Sequence, residues 1–228
     1  MSKKCVAVVS GGPDSIGYAA IWKNRGFEIF PISFNYGQKG NKEVQVLERL
    51  SRKLGFQQPV FVDISSVRDL WKNTQLTDDS VQVQGTYSPS VVVPLRNGVF
   101  LMIAAAYADS INSELIIYGA HLNDAAQRPG LTEPLYPDCT PEFAEALEVA
   151  INKGRLGSNE IKLQSPAREG LTKATLLKIS YSLLGEALYE TWSCYLSGEV
   201  HCGICESCNN RKKAFKEAGI EDKTKYQN

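Results

Sequence analysis

Two sets of residues in this chain have types and spacings that could do chemistry. The first is Ser10-Gly11-Gly12-Pro13-Asp14-Ser15, which directly follows the apolar run Val6–Val9 and precedes Ile16, Ala19 and Ala20 at helical spacing. A strand, a glycine turn and a helix N-terminus together make an anion site. Glycines let backbone N–H groups approach phosphate oxygens, and the helix's orphan amides and positive dipole end favour negative charge there. Asp14 offers a hard oxygen ligand for the magnesium that accompanies a nucleoside triphosphate. The turn holds no lysine and lacks the spacing of the Walker loop. Gly11-Gly12 alone would serve equally as a plain connector, whereas the complete string behind an apolar strand is far more specific. Pro13 suits the first helical turn, where its missing N–H would be unpaired anyway, although it removes one donor to phosphate.

The second set is Cys194, Cys202, Cys205 and Cys208. Two residues separate Cys202 from Cys205 and Cys205 from Cys208, and seven lie between Cys194 and Cys202. Four thiolates this close match a closed tetrahedral zinc site with no position open to water. An iron–sulfur cluster takes the same number of thiolates, but the short, glycine-containing loop favours zinc. His201 could replace one ligand, with its neighbour Cys202 the better candidate. The metal reads as structural, because a small C-terminal segment with few apolar residues needs a staple, and such binding contributes on the order of 10 kcal/mol to folding. Of the other cysteines, Cys5 reads as strand core, and Cys139, behind Asp138 and before a helix, as a residue that could touch the site.

These residues need a scaffold, and the hydrophobic pattern describes one. Val6–Val9 is a continuous apolar run, as in a strand buried on both faces of a parallel sheet. Phe27–Tyr36 reads as a second strand, Gly37–Asn41 as a polar loop, and Val44, Leu47, Leu50 and Leu54 as a helix closed at Gly55. Pro59–Ile64 is a third strand. This alternation predicts a parallel sheet with right-handed crossovers, whose ligands sit beyond the carboxyl ends of the strands, where Ser10, Asn35, Tyr36 and Asp63 fall. Residues 65–90 are polar and irregular, anchored by Trp71 and Tyr87, and form a lid or an exposed excursion. Arg96 and Asn97 open an apolar helix, where they either face the site or cap the helix. Leu115–Ala120 is a fourth strand ending at His121, which reads as structural more readily than catalytic. Tyr136-Pro137-Asp138-Cys139 leads into the helix of Phe143, Ala146 and Leu147. Ile161–Ser165 is a fifth strand, and Thr172–Leu184 an amphipathic helix closed by Gly185. From Asn209 on, six Lys/Arg against three Asp/Glu read as a solvated helix and tail.

At 228 residues the chain is long enough for one domain with an appendage. We divide it into a catalytic, ATP-binding domain at residues 1–190 and a zinc-binding module at 191–228. Twenty-five basic and 25 acidic side chains balance to no formal charge, which gives no hint of a nucleic-acid or membrane-surface partner. The opening Met-Ser-Lys-Lys-Cys-Val has too short an apolar stretch for a signal peptide, and no run is expected to span a membrane. The expectation is a cytoplasmic protein whose six cysteines are thiols or metal ligands rather than disulfides.

The Ser10–Ser15 string resembles the pyrophosphate loop of the ATP pyrophosphatase group of adenylating enzymes. With the cysteine set and the blocks between, the chain resembles the 7-cyano-7-deazaguanine synthase family. Those blocks are Asn35-Tyr36-Gly37-Gln38, Val93-Pro94-x-Arg96-Asn97, Tyr107-Ala108, Tyr136-Pro137-Asp138-Cys139 with Glu142-Phe143, Thr191-Trp192-Ser193-Cys194-Tyr195, and Cys202-Gly203-x-Cys205-x-Ser207-Cys208 ending in Arg211. They span nearly the whole chain in family order. The chain departs from the family at Gln38-Lys39-Gly40, at the residues after Ser15, and in a longer stretch from Gly119 to Asp138.

The resemblance implies an α/β fold of the adenine-nucleotide-hydrolase-like (Rossmann-like) type, with helices on both faces of a parallel sheet and a small C-terminal four-cysteine zinc module. It implies an ATP-dependent ligase that converts 7-carboxy-7-deazaguanine and ammonia to 7-cyano-7-deazaguanine (preQ0) in queuosine or archaeosine biosynthesis, using ATP, Mg2+ and Zn2+, as a homodimer with small-molecule substrates. On this reading Ser10, Gly11, Gly12, Asp14 and Ser15 bind ATP and magnesium. Tyr36, Arg96, Asn97, Tyr136 and Asp138 shape the substrate pocket, and Asp14, Ser15, Arg96 and Asp138 serve catalysis. Asp138 either reads the donor edge of the base or caps the helix beginning near Pro141. The alternative within enzymes is a relative that stops at the amide or couples the activated acid to another amine, including one on a protein. Outside enzymes it is a zinc-stapled nucleotide-binding or interaction module without turnover, against which the intact Asp14 argues.

Overall fold

In the computed structural model, strands and helices alternate along the chain. Residues 3–40, 42–127, 130, 132–157 and 159–227 are described. Asn41, at the end of the predicted polar loop, and the side chain of Val44, first in the predicted helical stripe, lie outside them. The first half contains β1 (Lys3–Val8), α1 (Pro13–Asn24), β2 (Phe27–Asn35), α2 (Lys42–Leu54), β3 (Val60–Asp63) and α3 (Arg96–Ser110). The second contains β4 (Leu115–Ile117), α4 (Pro141–Lys153), β5 (Lys162–Gln164), α5 (Lys173–Leu184) and α6 (Glu206–Ala218). β4 stops short of its predicted end at Ala120. Tyr118 still donates to Gln164 O, but Gly119 lies against the start of α1, where a Cβ would stand 2.9 Å from Ser15 N.

All five strands are parallel, in the order β3-β2-β1-β4-β5. Alternation along the central strands divides the core in two. Cys5, Ala7, Leu115 and Ile117 pack with Ile16 of α1, Leu47 and Leu50 of α2 and Leu176 of α5. Val6, Ile32, Ile116 and Leu163 point the other way, to Leu101 and Ala104 of α3 and Ala144 and Ile151 of α4. Helices therefore cover both faces, as expected. Each fully buried aliphatic side chain contributes about 1.5–3 kcal/mol. α1 and α5 approach so closely that a Cβ at Gly17 would fall 2.0 Å from Ser180 Oγ.

β2 and β3 lie to one side of β1, while β4 and β5 lie to the other. The crevice between β1 and β4 is the point where strand order reverses, the usual ligand position in such sheets. Trp192 and the four clustered cysteines pack into the same core as β1 and α1. α6, read from its charges as solvated, instead buries Arg211, Ala214 and Phe215. Arg211 is 2% exposed because Thr224 Oγ1, Thr191 Oγ1 and Leu188 O accept from its guanidinium. The stretch Pro89–Ser110 has, against the sequence expectation, the length and composition to cross a membrane. Within it α3 is a core helix, with Leu101, Ala104 and Ala108 fully buried.

Candidate active site

A cavity of about 570 Å³ opens at the carboxyl ends of β1 and β4, within the size range of small-molecule sites. All the residues assigned from sequence to nucleotide or substrate line it, except Gly11. Gly11 (φ +93°) stands behind the loop. Its carbonyl accepts from Trp192 N at 3.0 Å, and a Cβ on it would meet Glu43 O at 2.7 Å. Only glycine fits there.

The loop is held by its own hydroxyls. Ser10 Oγ accepts from Gly12 N, and Ser15 Oγ accepts from Ser10 N while donating to Gly12 O, each at 3.3 Å. Gly12 is the N-cap of α1 without a side-chain cap, so the amides of Asp14 and Ser15 open the helix with no acceptor inside it. That leaves two donors and a positive dipole end at the cavity wall, suited to phosphate.

Asp14 Oδ2 accepts from Lys173 Nζ at 2.5 Å and lies 4.0 Å from His121 Nε2. Burial pushes the Asp14 carboxyl up, but the Lys173 ammonium and His121 outweigh it and hold the group below its usual range. Lys173 Nζ is also 3.4 Å from His121 Nε2, and His121 Nδ1 is 3.2 Å from Asp124 Oδ2. His121, weighed from sequence as structural, thus stands in the site. Sequence reasoning missed Lys173. A signal was present: it is the first residue of α5, the helix end where the dipole disfavours a cation.

Across from the loop, Arg96 Nη1 donates to Tyr36 Oη at 3.2 Å. Asp138 Oδ2 accepts from Asn97 N at 2.9 Å, and its Oδ1 from Asn97 Nδ2 at 3.3 Å. Asp138 therefore caps α3. The helix named in the capping alternative, α4, is capped by Thr140, whose Oγ1 accepts from Phe143 N at 3.2 Å. Sequence proximity pointed to the wrong helix. Cys139 does reach the site, accepting from Asn97 Nδ2 at 3.2 Å; burial, with Asp124 and Asp138 nearby, pushes its thiol well above the usual range and leaves it inert. The Tyr136 ring meets Tyr87 edge-on at 5.7 Å. Leu76 and Tyr87 bring the irregular 65–90 segment into the cavity wall.

Among the described residues, the buried atoms of this wall that have no hydrogen-bond partner include Asp14 Oδ1, Arg96 Nε and Ser193 Oγ. Each such atom costs about 1–3 kcal/mol, a cost a ligand would relieve. Glu43, also missed from sequence, lines the same cavity; burial pushes its carboxyl up to about 8, against the opposing charge of Arg96.

The sulfurs of Cys194, Cys202, Cys205 and Cys208 all lie within 4.8 Å of one another and are buried. The amides of Leu196 and Cys202 point at Cys194 Sγ, Cys205 N at Cys202 Sγ and Cys208 N at Cys205 Sγ, at 3.4–3.5 Å. Bonds from Cys205 and Cys208, with the backbone amides, hold the Cys194 thiol far below its usual range. A closed set of four soft donors fits zinc. His201 stays outside the set, accepting from Ser193 N at 3.3 Å, with its ring tilted against Trp192 at 4.3 Å.

The family model described as "Queuosine biosynthesis protein QueC" matches residues 4–219. A 7-cyano-7-deazaguanine synthase of Marinomonas sp. (strain MWYL1) is 37% identical over 234 residues, covering 100% of both chains. One of Campylobacter curvus (strain 525.92) is 36% identical over 231 residues, covering 99% of both. Among solved structures, a 4-thiouridine synthetase–RNA complex with bound ATP superposes with a TM-score of 0.52 at 16% identity, covering 95% of this chain and 50% of that one. That likeness speaks for the fold alone.

Proposed function

The chain belongs to the family of queuosine biosynthesis protein QueC, and from that premise we propose how its cavity performs the family's ligase reaction. The enzyme uses ATP to convert 7-carboxy-7-deazaguanine and ammonia into 7-cyano-7-deazaguanine. The observation that carries the assignment of residues is that the phosphate loop and the Arg96–Asp138 wall open into one cavity. The relatives give no support to a variant that stops at the amide or couples to another amine.

A carboxylate resists ammonia because oxide is a hopeless leaving group. Bonding of its oxygen to an ATP phosphorus, as that phosphorus parts from its bridging oxygen, supplies a good one, and ammonia then displaces it to give an amide. Activating the amide oxygen in the same pocket leads to the nitrile. The amides of Asp14 and Ser15, with Lys173, face the charge that develops on phosphate. Arg96, with Nε unpaired, suits the substrate carboxylate. Tyr136 offers a ring face, and each Asp138 oxygen keeps a lone pair beyond the bond from Asn97 for the donor edge of the base.

Asp14 would hold magnesium, and its stranded Oδ1 fits that role. Magnesium offsets phosphate charge when bound. Cys194, Cys202, Cys205 and Cys208 would hold zinc as a structural node, dividing the chain into a catalytic part, 1–190, and a zinc part, 191–228. We further assign the enzyme to the cytoplasm, on the strength of six free cysteines. We assign it to a homodimer, because Leu95, Val99 and Met102 expose an apolar stripe at helical spacing. Its balanced charge favours small-molecule partners over nucleic acid. The test is mass spectrometry of the product from purified protein, ATP, ammonium and 7-carboxy-7-deazaguanine. The nitrile is expected, and accumulation of the amide alone would defeat the reading.

A further inference from the structure

Six acidic side chains line the cavity: Asp14, Glu43, Asp124, Asp138, Glu206 and Glu217. Five are engaged. Asp14 pairs with Lys173, and Asp138 holds Asn97 through both oxygens. Asp124 accepts from His121 N at 3.1 Å and faces its ring. Glu206 accepts from Tyr195 Oη at 2.7 Å and from Asn210 Nδ2 at 2.5 Å. Glu217, at the exposed rim, lies 3.7 Å from Lys213. Among the described residues, no hydrogen bond or ion pair engages the carboxyl of Glu43.

Glu43 is fixed beside the phosphate loop. It stands in the first turn of α2, and its backbone carbonyl packs against Gly11 with no room for a Cβ. The ionisable groups that it feels are the Arg96 guanidinium and the Tyr36 phenol. A half-buried carboxyl without a partner, anchored where the activated substrate must sit, is costly to keep unless it acts.

The reaction needs such a group. Ammonia carries three hydrogens and a nitrile nitrogen none. In the first half, the nitrogen lone pair forms the C–N bond and the activated C–O bond breaks, its electron pair leaving on the phosphate oxygen. The nitrogen, now positively charged, must lose one proton to become an amide. In the second half one N–H proton leaves as the activated amide gains C=N character, and the last leaves as the C–O bond breaks. Each departure needs an acceptor within hydrogen-bond reach of the nitrogen.

We propose that Glu43 is this acceptor: its carboxylate receives N–H hydrogen bonds from the incoming ammonia, aims the lone pair at the activated carbon and takes the protons that nitrogen sheds, releasing each to water. The inference rests on the ligase reading above, which supplies ATP as activator. The raised range of the Glu43 carboxyl suits a base working near neutrality.

Glu43→Gln keeps the shape and cannot accept a proton. Two measurements on the full-length, zinc-loaded protein divide the reaction. Single-turnover ATP consumption with 7-carboxy-7-deazaguanine in ammonium-free buffer reads activation, and the variant should retain it. Amide and nitrile formation with saturating ammonium should fall by about 10²-fold or more in kcat, with partial recovery in Glu43→Asp. Product formed at the parental rate would overturn the proposal, as would loss of activation in the variant alone, which would make Glu43 a support of the ATP loop. If Glu43→Gln fails to fold, Glu43→Asp must show the same split in weaker form. A parent that consumes no ATP with the acid would instead overturn the ligase reading, whatever Glu43 does.

Discussion

Lys173 Nζ lies 2.5 Å from Asp14 Oδ2, tying the first turn of α5 to the first turn of α1 at the cavity wall. The lysine balances the aspartate, and a cation bound at Asp14 would release it toward phosphate. Asp14→Asn should lower kcat by about 10²–10³-fold, the scale of one lost electrostatic contact in a transition state. Circular dichroism and zinc content should stay parental. Near-parental turnover would reduce the loop to a connector.

Metal analysis should find one zinc per chain. Cys202→Ser removes a ligand from a set with no spare, and the binding free energy, on the order of 10 kcal/mol, is folding free energy. The variant should lose the metal and express mostly insoluble. Visible iron–sulfur absorption in anaerobically purified parent would overturn the zinc assignment.

Asp138 and Thr140 separate capping from recognition. Each loss of a cap, Asp138→Ala at α3 and Thr140→Ala at α4, should cost about 1 kcal/mol in thermal melts. Only Asp138→Ala should also lower kcat/KM for the deazaguanine acid, by at least about tenfold, because the substrate's donors are then stranded. Equal kcat/KM in the two variants would confine Asp138 to capping.

Gly17 tests the α1–α5 contact away from the chemistry. Gly17→Ala drives a methyl into Ser180, whose Cβ would be 2.7 Å away, and overpacking of this kind costs about 1–3 kcal/mol. Adding Ser180→Gly should restore part of the loss in a double-mutant cycle. Purely additive effects would place the strain elsewhere.

Glu43 also leaves a mark on stability. The folded protein keeps its proton up to about pH 8, while an unfolded chain releases it near pH 4.5. Between those values the native state binds more protons, so the contribution of this site to stability falls as pH rises. The melting temperature of Glu43→Gln should therefore gain on the parent steadily from about pH 5 to about pH 8. A constant difference would mean that native Glu43 is already ionised across the window.

What could be read from the sequence was what neighbours in the chain encode. Ser10–Ser15 and the four cysteines declare themselves by spacing, and the apolar runs gave all five strands. The pairing of Asp14 with Lys173, the seat of Glu43 against Gly11 and the bond from Trp192 to Gly11 arise from packing between distant elements, so no local pattern carries them. Asp138 was ambiguous for the same reason: chain proximity favoured α4, and the fold delivers it to α3. Arg211 misled because charge usually marks a surface, whereas here two threonine hydroxyls and a carbonyl make burial tolerable.

The bond from Trp192 N to Gly11 O sets an order of assembly during synthesis. The ribosome releases the phosphate loop well before Trp192, which emerges with the cysteines. Until then the Gly11 carbonyl lacks the Trp192 amide, and the face of β1 that carries Cys5 and Ala7 lacks the Trp192 segment. Closing so long a loop must precede any reward from its contacts, which slows folding. A chain halted before Trp192 would therefore lack more than its metal: its ATP loop would miss the backbone bond that ties Gly11 to the C-terminal segment.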